Sequence, residues 1–218
     1  MITIFQHGEH EPAGTIEDCL ITHHQPYEIL RLFEDDTLPR DPPHQLIILG
    51  GQMSVNDEHE YPFLKPEKEL VRETIIQGKT VLGICLGAQM IASAFGERVY
   101  PSNAELGWRD IIDVIPSPLA WHSAVSPVFH WHHETFNLPK GATLVAYGER
   151  VKNQAFLFGH AVGVQFHPEV TMPIISYWAK DLNASEHSQV LQESEKYLGQ
   201  NRQRCERILD AFLHHWGI

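Results

Sequence analysis

Cysteine is scarce in this chain. Cys19, Cys85 and Cys205 are far apart and odd in number, so they frame no disulfide scaffold, and no pair has the close spacing of a zinc site. That usage fits a reducing compartment. Positive charge is also in short supply: 16 Lys and Arg stand against 28 Asp and Glu, a net charge of −12 with histidine neutral. Nothing in that balance favours a nucleic-acid backbone or an anionic membrane as partner, and neither is expected. No window reaches the ~18 apolar residues that a membrane helix needs. The opening MITIFQHGEH has neither a basic region nor a long apolar stretch, so it does not read as a signal peptide. A cytoplasmic location is the expectation. Internal repeats and low-complexity tracts are missing. So are the P-loop pattern G-x-x-x-x-G-K-[ST] and any other glycine loop that would cradle phosphate.

What is present is ordinary globular composition, 43% hydrophobic and 20% charged over 218 residues, enough for one sizeable core. A single domain over residues 1–218 is expected. The first half alternates strand-like and helix-like segments: strands over 1–6, 27–34, 44–51 and 80–85, helices over 14–23, 63–78 and 86–95. HQLIILGG is apolar and unbroken, as a strand buried on both faces should be. In FLKPEKELVRETIIQG, Leu70, Val71, Thr74 and Ile75 fall on one side of a helix that stops at glycine. This rhythm predicts an α/β fold, a central mostly parallel sheet with helices on both faces. Between 97 and 170, short pieces such as DIIDVIP, ATLVAYG and AVGVQFHPEV read as extra strands, some antiparallel. The C-terminal part reads as helix, with Cys205, Ile208, Leu209, Phe212, Leu213 and Trp216 on one stripe. Cys205 on that stripe reads as a core thiol. The polar run SEHSQVLQESEKYLGQNRQ is expected at the surface.

In TVLGICLGAQMIASAFG a cysteine sits between two glycines, where a buried strand meets a helix. A G-x-nucleophile-x-G turn in that context is a nucleophile elbow. The sharp bend pushes the central side chain, Cys85, out at the carboxyl edge of the sheet, and the glycines avoid collision with strand and helix backbone. The helix N-terminus favours thiolate over thiol, and thiolate is the attacking species in acyl transfer. The amide of Leu86 is placed to donate to an oxyanion. A small buried cysteine in a tight turn remains the plain alternative. A thiolate nucleophile needs a base, and the base an orienting group. GVQFHPEV offers His167 and, two positions on, Glu169. On an extended backbone both leave the same face. With 15 histidines in the chain, one near a motif carries little by itself. LGGQMSVND places two glycines at the end of a buried strand on the same sheet edge, where ligands bind in open α/β sheets. A glycine N–H there can be a second oxyanion donor, or the pair can be a plain turn.

Taken together, ILGGQMSVND, GICLGAQ and GVQFHPE resemble the class I, triad-type glutamine amidotransferase family, from about residue 44 to 172 and more loosely along the whole chain. The resemblance implies a flavodoxin-like class I glutamine amidotransferase fold. It implies Cys85 as nucleophile, His167 as general base and acid, and Glu169 as the group orienting His167. Gly51 and Leu86 would supply the oxyanion N–H groups, and Gln89 matches the glutamine-binding position in C-x-G-x-Q. Among the family's branches, the chain is similar to the glutaminase part of GMP synthase and to stand-alone amidotransferase-like proteins. AELGWRDIIDV and VFHWHHETFNLPKGATLVA carry that likeness. It places Glu105, Gly107 and Trp108, and His130, His132, Glu134 and Phe136, near the substrate cleft, with Glu105, Trp108, His130 and His132 as substrate-binding candidates. His130 and His132 share a face on an extended strand, as two metal ligands would, but no cysteine or further acidic cluster completes the set of about four. No metal and no cofactor are expected, and a cleft wall is the reading retained. The chain departs from the family in one turn, where Gly50-Gly51-Gln52 replaces the usual G-G-P. Without proline to fix φ the loop should be less rigid. Gln52 is kept as a substrate-binding candidate.

Three readings follow. A glutaminase component would hydrolyse glutamine and pass ammonia to a synthetase partner chain. A stand-alone hydrolase would use the same triad on γ-glutamyl amides or peptides. A binding or regulatory module would retain the fold with Cys85 inactive or acting as a redox sensor. With Cys85, His167 and Glu169 all present, the first two lead.

Overall fold

In the parallel half of the sheet, apolar residues alternate between two buried faces, and that alternation sets the layers. A computed structural model describes residues 1–34, 36–114 and 124–214 of the chain. Its strands are β1 (Ile2–Gln6), β2 (Tyr27–Arg31), β3 (Gln45–Ile48), β4 (Thr80–Ile84), β5 (Val99–Asp113), β6 (Val125–Phe136), β7 (Thr143–Gly148), β8 (Asn153–Phe158) and β9 (Ala161–Val164). The helices are α1 (Thr15–Thr22), α2 (Leu64–Ile76), α3 (Leu86–Ala94), α4 (Met172–Trp178) and α5 (Ala184–Leu213).

All nine strands form one sheet in the order β2-β1-β3-β4-β9-β8-β7-β5-β6. β2, β1, β3, β4 and β9 pair parallel, and β9, β8, β7, β5 and β6 pair antiparallel. The flavodoxin-like α/β expectation holds in the parallel half, and the extra strands are antiparallel. Ile4, Ile47, Leu82 and Ile84 face a cluster closed by α1 and α5. Phe5, Leu46, Ile48 and Val81 face the opposite cluster under α2 and α3. This two-sided burial is why these strands read as unbroken apolar runs. A third cluster gathers Trp108, Phe129, Ile174, Ile175 and Val190, joining β5 and β6 to α4 and α5.

Several elements differ from the sequence expectation. The strand expected over 27–34 ends at Arg31, and Leu32–Glu34 is a 3-10 turn that buries Leu32. DIIDVIP is the tail of a far longer strand, β5, and its last two residues lie outside the described ones. The polar run over 185–203 forms the first two thirds of α5 and lies mostly at the surface. Asn183 caps that helix, accepting from the N–H groups of Ser185 and Glu186. Val190, Ser194, Asn201 and Arg204 of this helix are buried, so its inner face is partly polar. Cys205 sits in the core with Ile208, Leu209 and Phe212, and burial pushes its thiol pKa well up. Trp216 lies outside the described residues. No helix among the described residues is long and apolar enough to cross a membrane.

Candidate active site

The carboxyl ends of β1, β3, β4 and β9 lie side by side, and each hands on to a loop at that edge. β4 ends at Ile84 and leads into Cys85, which caps α3 with φ 51° and ψ −104°. A non-glycine residue at positive φ is strained. Here the backbone is held by Cys85 N–H donating to Val164 O at 2.8 Å and by Gln89 N–H donating to Cys85 O at 3.1 Å. The flanking glycines are demanded by contact. A Cβ at Gly83 would lie 2.4 Å from Gly87 O, and one at Gly87 would lie 2.2 Å from Ile48 O. The elbow therefore needs both glycines to bring helix and strand backbones together.

β9 runs into the turn that carries His167 and Glu169. The backbone does not stay extended, since residues 168 and 169 are a turn. The two side chains still meet: His167 Nδ1 lies 2.7 Å from Glu169 Oε1, both groups being buried. Three elements hold this turn. His167 N–H donates to Phe129 O at 2.8 Å, and Thr15 N–H to Glu169 O at 2.9 Å. From α5, Asn201 Nδ2 donates to His167 O at 3.2 Å and Pro168 O at 3.0 Å. Trp178 packs edge-on against the imidazole. His167 Nε2 is buried without a hydrogen-bond partner. His167 and Cys85 line one cavity, and a Cβ at Gly50 would touch both, 3.0 Å from His167 Cε1 and 3.8 Å from Cys85 Cβ. Burial works against a proton on His167, but the neighbouring Glu169 carboxylate and Cys85 outweigh it and raise its pKa to about 10. That direction favours the protonated ring, a cation beside the Cys85 sulfur.

After β3, Gly51 packs against Leu86: a Cβ there would lie 2.6 Å from Leu86 Cδ2. Leu86 opens α3, where backbone N–H groups lack intrahelical acceptors. The loop lacks proline but is tied down by side chains. Gln52 Nε2 donates to Glu11 Oε1 at 3.1 Å. His7 Nδ1 donates to Gly50 O at 3.2 Å, and its Nε2 donates to Glu67 Oε1 at 3.0 Å. Carbonyl and carboxylate only accept, so both ring nitrogens carry protons. Burial opposes that charge, yet Glu67, helped by the Gly50 carbonyl and Glu11, raises the His7 pKa above its usual value.

The cavity measures about 670 Å³ and is lined by Gly51, Gln52, Cys85, Gln89, His132 and His167 among the expected residues. Gln89 is committed to protein partners, donating through Nε2 to Glu134 O at 3.4 Å and Gln165 Oε1 at 3.3 Å. Gln165 in turn donates to Cys85 Sγ at 3.6 Å. Glu105, Trp108 and His130 do not line this cavity, which corrects the expectation that they touch its contents. Trp108 is core: its Nε1 donates to Ser194 Oγ at 2.9 Å within the third cluster. Glu105 and His130 are drawn beneath the wall into a buried cluster with His132. Burial, with His132, His167 and Arg109 nearby, pushes the His130 pKa well below its usual value.

Glu134 of the HWHHETF stretch lines the cavity as expected. Several cavity residues escaped the sequence reading, among them Glu11, Tyr177, Lys180 and Asp181. None sits in a motif, and they converge only through the fold. Asn201 had a readable signal, since it continues the stripe of Cys205, Ile208 and Phe212 at helical spacing.

The sequence matches the family described as glutamine amidotransferase class-I over residues 15–174. It is 28% identical over 174 residues to a glutamine amidotransferase-like protein of Acanthamoeba polyphaga mimivirus, covering 77% of this chain and 78% of that one. It is 27% identical over 147 residues to a GMP synthase [glutamine-hydrolyzing] of Helicobacter acinonychis; that match takes in 66% of this chain but 28% of the GMP synthase. The fold matches the crystal structure of a glutamine amidotransferase from Thermotoga maritima with a TM-score of 0.89 and 30% identity, covering 97% of this chain and 96% of that one.

Proposed function

Because the chain belongs to the class-I glutamine amidotransferase family, we propose that it hydrolyses the γ-carboxamide of glutamine by way of a thioester on Cys85. The observation that carries the reading is the buried His167–Glu169 pair at 2.7 Å beside a cysteine held at positive φ on a helix N-terminus. With His167 protonated, Cys85 reacts as thiolate. Its sulfur attacks the carbonyl carbon of the γ-carboxamide, and the carbonyl oxygen takes up negative charge. The backbone N–H groups of Leu86 and Gly51 receive that oxyanion, a contribution of about 2.7–4 kcal/mol for one such donor where it has been removed. His167 Nε2 gives its proton to the leaving nitrogen, the C–N bond breaks, and ammonia departs. The neutral imidazole then takes a proton from water as the water attacks the thioester. Glutamate leaves, and sulfur and imidazolium return to their starting states. Glu169 holds the ring and supports its charge in both halves. Gln165, donating to Sγ, is a positioning residue for the thiolate.

The cavity supports an amino-acid substrate. Its lining includes the acids Glu11, Glu134 and Asp181 together with Lys180, a mixed set that suits the ammonium and carboxylate of an α-carbon. Its volume supports the second reading, a hydrolase of γ-glutamyl amides or peptides. About 670 Å³ falls among cavities that take drug-sized ligands, which leaves room for a group on the amide nitrogen. A synthetase chain that receives the ammonia is the partner proposed for the first reading.

The test is glutamate release from glutamine and from a panel of γ-glutamyl amides, with Cys85→Ala beside the wild type. Turnover of the substituted amides by the isolated chain selects the second reading. Equal activity of the variant on every active substrate overturns the nucleophile assignment and both readings with it.

A further inference from the structure

The antiparallel pair β5–β6 sets Glu105 directly opposite His132 and Gly107 opposite His130. Directly opposed residues and residues two apart on one strand share a face of the sheet. All three side chains therefore enter the same buried space, with relative exposures of 3% for Glu105, 1% for His130 and 4% for His132. Their polar atoms form a small triangle. Glu105 Oε2 lies 3.2 Å from His132 Nε2 and 3.5 Å from His130 Nδ1, and the two nitrogens are 3.3 Å apart. Two ligands of a tetrahedral Zn2+, each bonded at about 2.0–2.1 Å, lie about 3.3–3.4 Å from one another.

The hydrogen-bond partners around the triangle point the same way. His132 Nδ1 faces Glu134 O at 3.2 Å and must donate there, since a carbonyl only accepts. In a neutral ring this leaves a lone pair on Nε2; a proton on His130 Nδ1 can meet it at 3.3 Å, but both that lone pair and His130 Nδ1 still face a carboxylate oxygen that only accepts. A proton on Nε2 would satisfy one edge of the triangle and leave His130 Nδ1 with a 3.5 Å contact to the same oxygen. A divalent cation satisfies all three edges. Gln154 Nε2 donates to Glu105 Oε2 at 2.9 Å, and together with Glu134 O it supplies the outer contacts that orient metal ligands.

We propose that Glu105, His130 and His132 bind a divalent transition-metal cation of the Zn2+ class, tying β5 to β6 behind the wall of the Cys85 cavity. Two imidazoles and one carboxylate suit Zn2+; Mg2+ and Ca2+ take oxygen ligands instead. The sequence hid the site because Glu105 lies 25 residues before His130 and meets it only across the strand pair. His132 is both a ligand and a residue of the cavity wall, so an occupied site fixes that wall in place.

The test strips the full-length protein with chelator, adds Zn2+, removes excess by gel filtration and measures bound metal and thermal midpoint. The wild type is expected to retain about one Zn2+ per chain and to melt higher with it, because a ligand bound only to the folded state stabilises that state. Cys85→Ala is expected to do the same, which separates this site from the proposed thiolate and from the glutaminase reading. Glu105→Gln and His130→Gln, checked for fold by circular dichroism, are expected to bind at least about 100-fold more weakly. Co2+ in the wild type reads the ligands without any variant: nitrogen and oxygen ligands give d–d bands with no sulfur-to-metal charge transfer. The proposal is overturned by a stripped wild type that retains no Zn2+, by undiminished binding in Glu105→Gln, or by a sulfur charge-transfer band.

Discussion

Replacing His7 with leucine separates two roles that the ring performs at once. Its Nε2 neutralises Glu67, a carboxylate at 0% exposure, and its Nδ1 holds the Gly50 carbonyl. Removing one partner of a buried ion pair strands the other charge, at about 3–5 kcal/mol. In a chain of this size each kcal/mol shifts the thermal midpoint by about 2–4 °C, so His7→Leu should melt roughly 6–20 °C lower. In His7→Leu/Glu67→Leu both charges are gone, and replacing a whole buried pair by apolar residues is close to neutral. The remaining deficit is the orphaned Gly50 carbonyl, about 1–3 kcal/mol. Activity should not follow stability. With Gly50 released, the adjoining Gly51 N–H, the proposed oxyanion donor, loses its aim, and a misplaced donor of that kind costs up to about 10²–10³ in kcat. The double variant should therefore regain most of the midpoint while kcat on glutamine stays at least about 10-fold down. Differential scanning calorimetry and a glutamate-release assay on the three proteins decide it. A double variant with both midpoint and kcat restored would refute the positioning role of His7. A single variant within about 0.5 kcal/mol of wild type would refute the charged pair.

Other predictions concern the same edge of the sheet. Asn201→Ala leaves two buried carbonyls, those of His167 and Pro168, without their donor; it should destabilise by about 2–4 kcal/mol in denaturant unfolding and lower kcat, while unchanged stability would contradict the bonds. Cys85→Ala should lower the pKa of His167 from about 10, because Cys85 helps hold the proton; an NMR titration identical in both proteins would contradict the pairing. The raised pKa also sets a pH window. The stabilisation from protonated His167 is complete below its unfolded value near 6.5 and disappears as pH rises through about 10. Turnover should fall over that upper limb as the proton for the leaving nitrogen is lost, and a rate that keeps rising beyond it would contradict the acid role. Gly199→Ala replaces an exposed glycine inside α5 with nothing within 4 Å of the new Cβ and should stabilise by about 0.5–1 kcal/mol; a lower midpoint would show that this stretch of α5 is not helical.

The parallel half of the fold was legible because each of its inner strands is buried on both faces, so the chain itself writes unbroken apolar runs ended by glycine. The elbow was legible for a related reason. Gly83 and Gly87 are forced by backbone contacts with Gly87 O and Ile48 O, and such contacts leave no other residue type available. The antiparallel half was harder to read. β6 holds Ser126, His130, His132 and Thr135, and polar residues buried against a neighbouring strand give no hydropathy signal. α5 misled for the same reason, since Ser194, Asn201 and Arg204 are buried polar groups whose partners are far along the chain. The His7–Glu67 pair spans 60 residues and, through the bond from His7 to Gly50 O, anchors the loop that carries Gln52. Charges matched across the fold are invisible to any reading of local pattern.

The central claim is a γ-glutamyl thioester on Cys85. Acid-quenching the protein during turnover of glutamine, then locating the adduct by peptide mass spectrometry, tests it directly. The account predicts a mass increment of glutamine less ammonia on the peptide containing Cys85, lost in Cys85→Ala. Glutamate released with that peptide unmodified throughout, or an adduct on another residue, would contradict it.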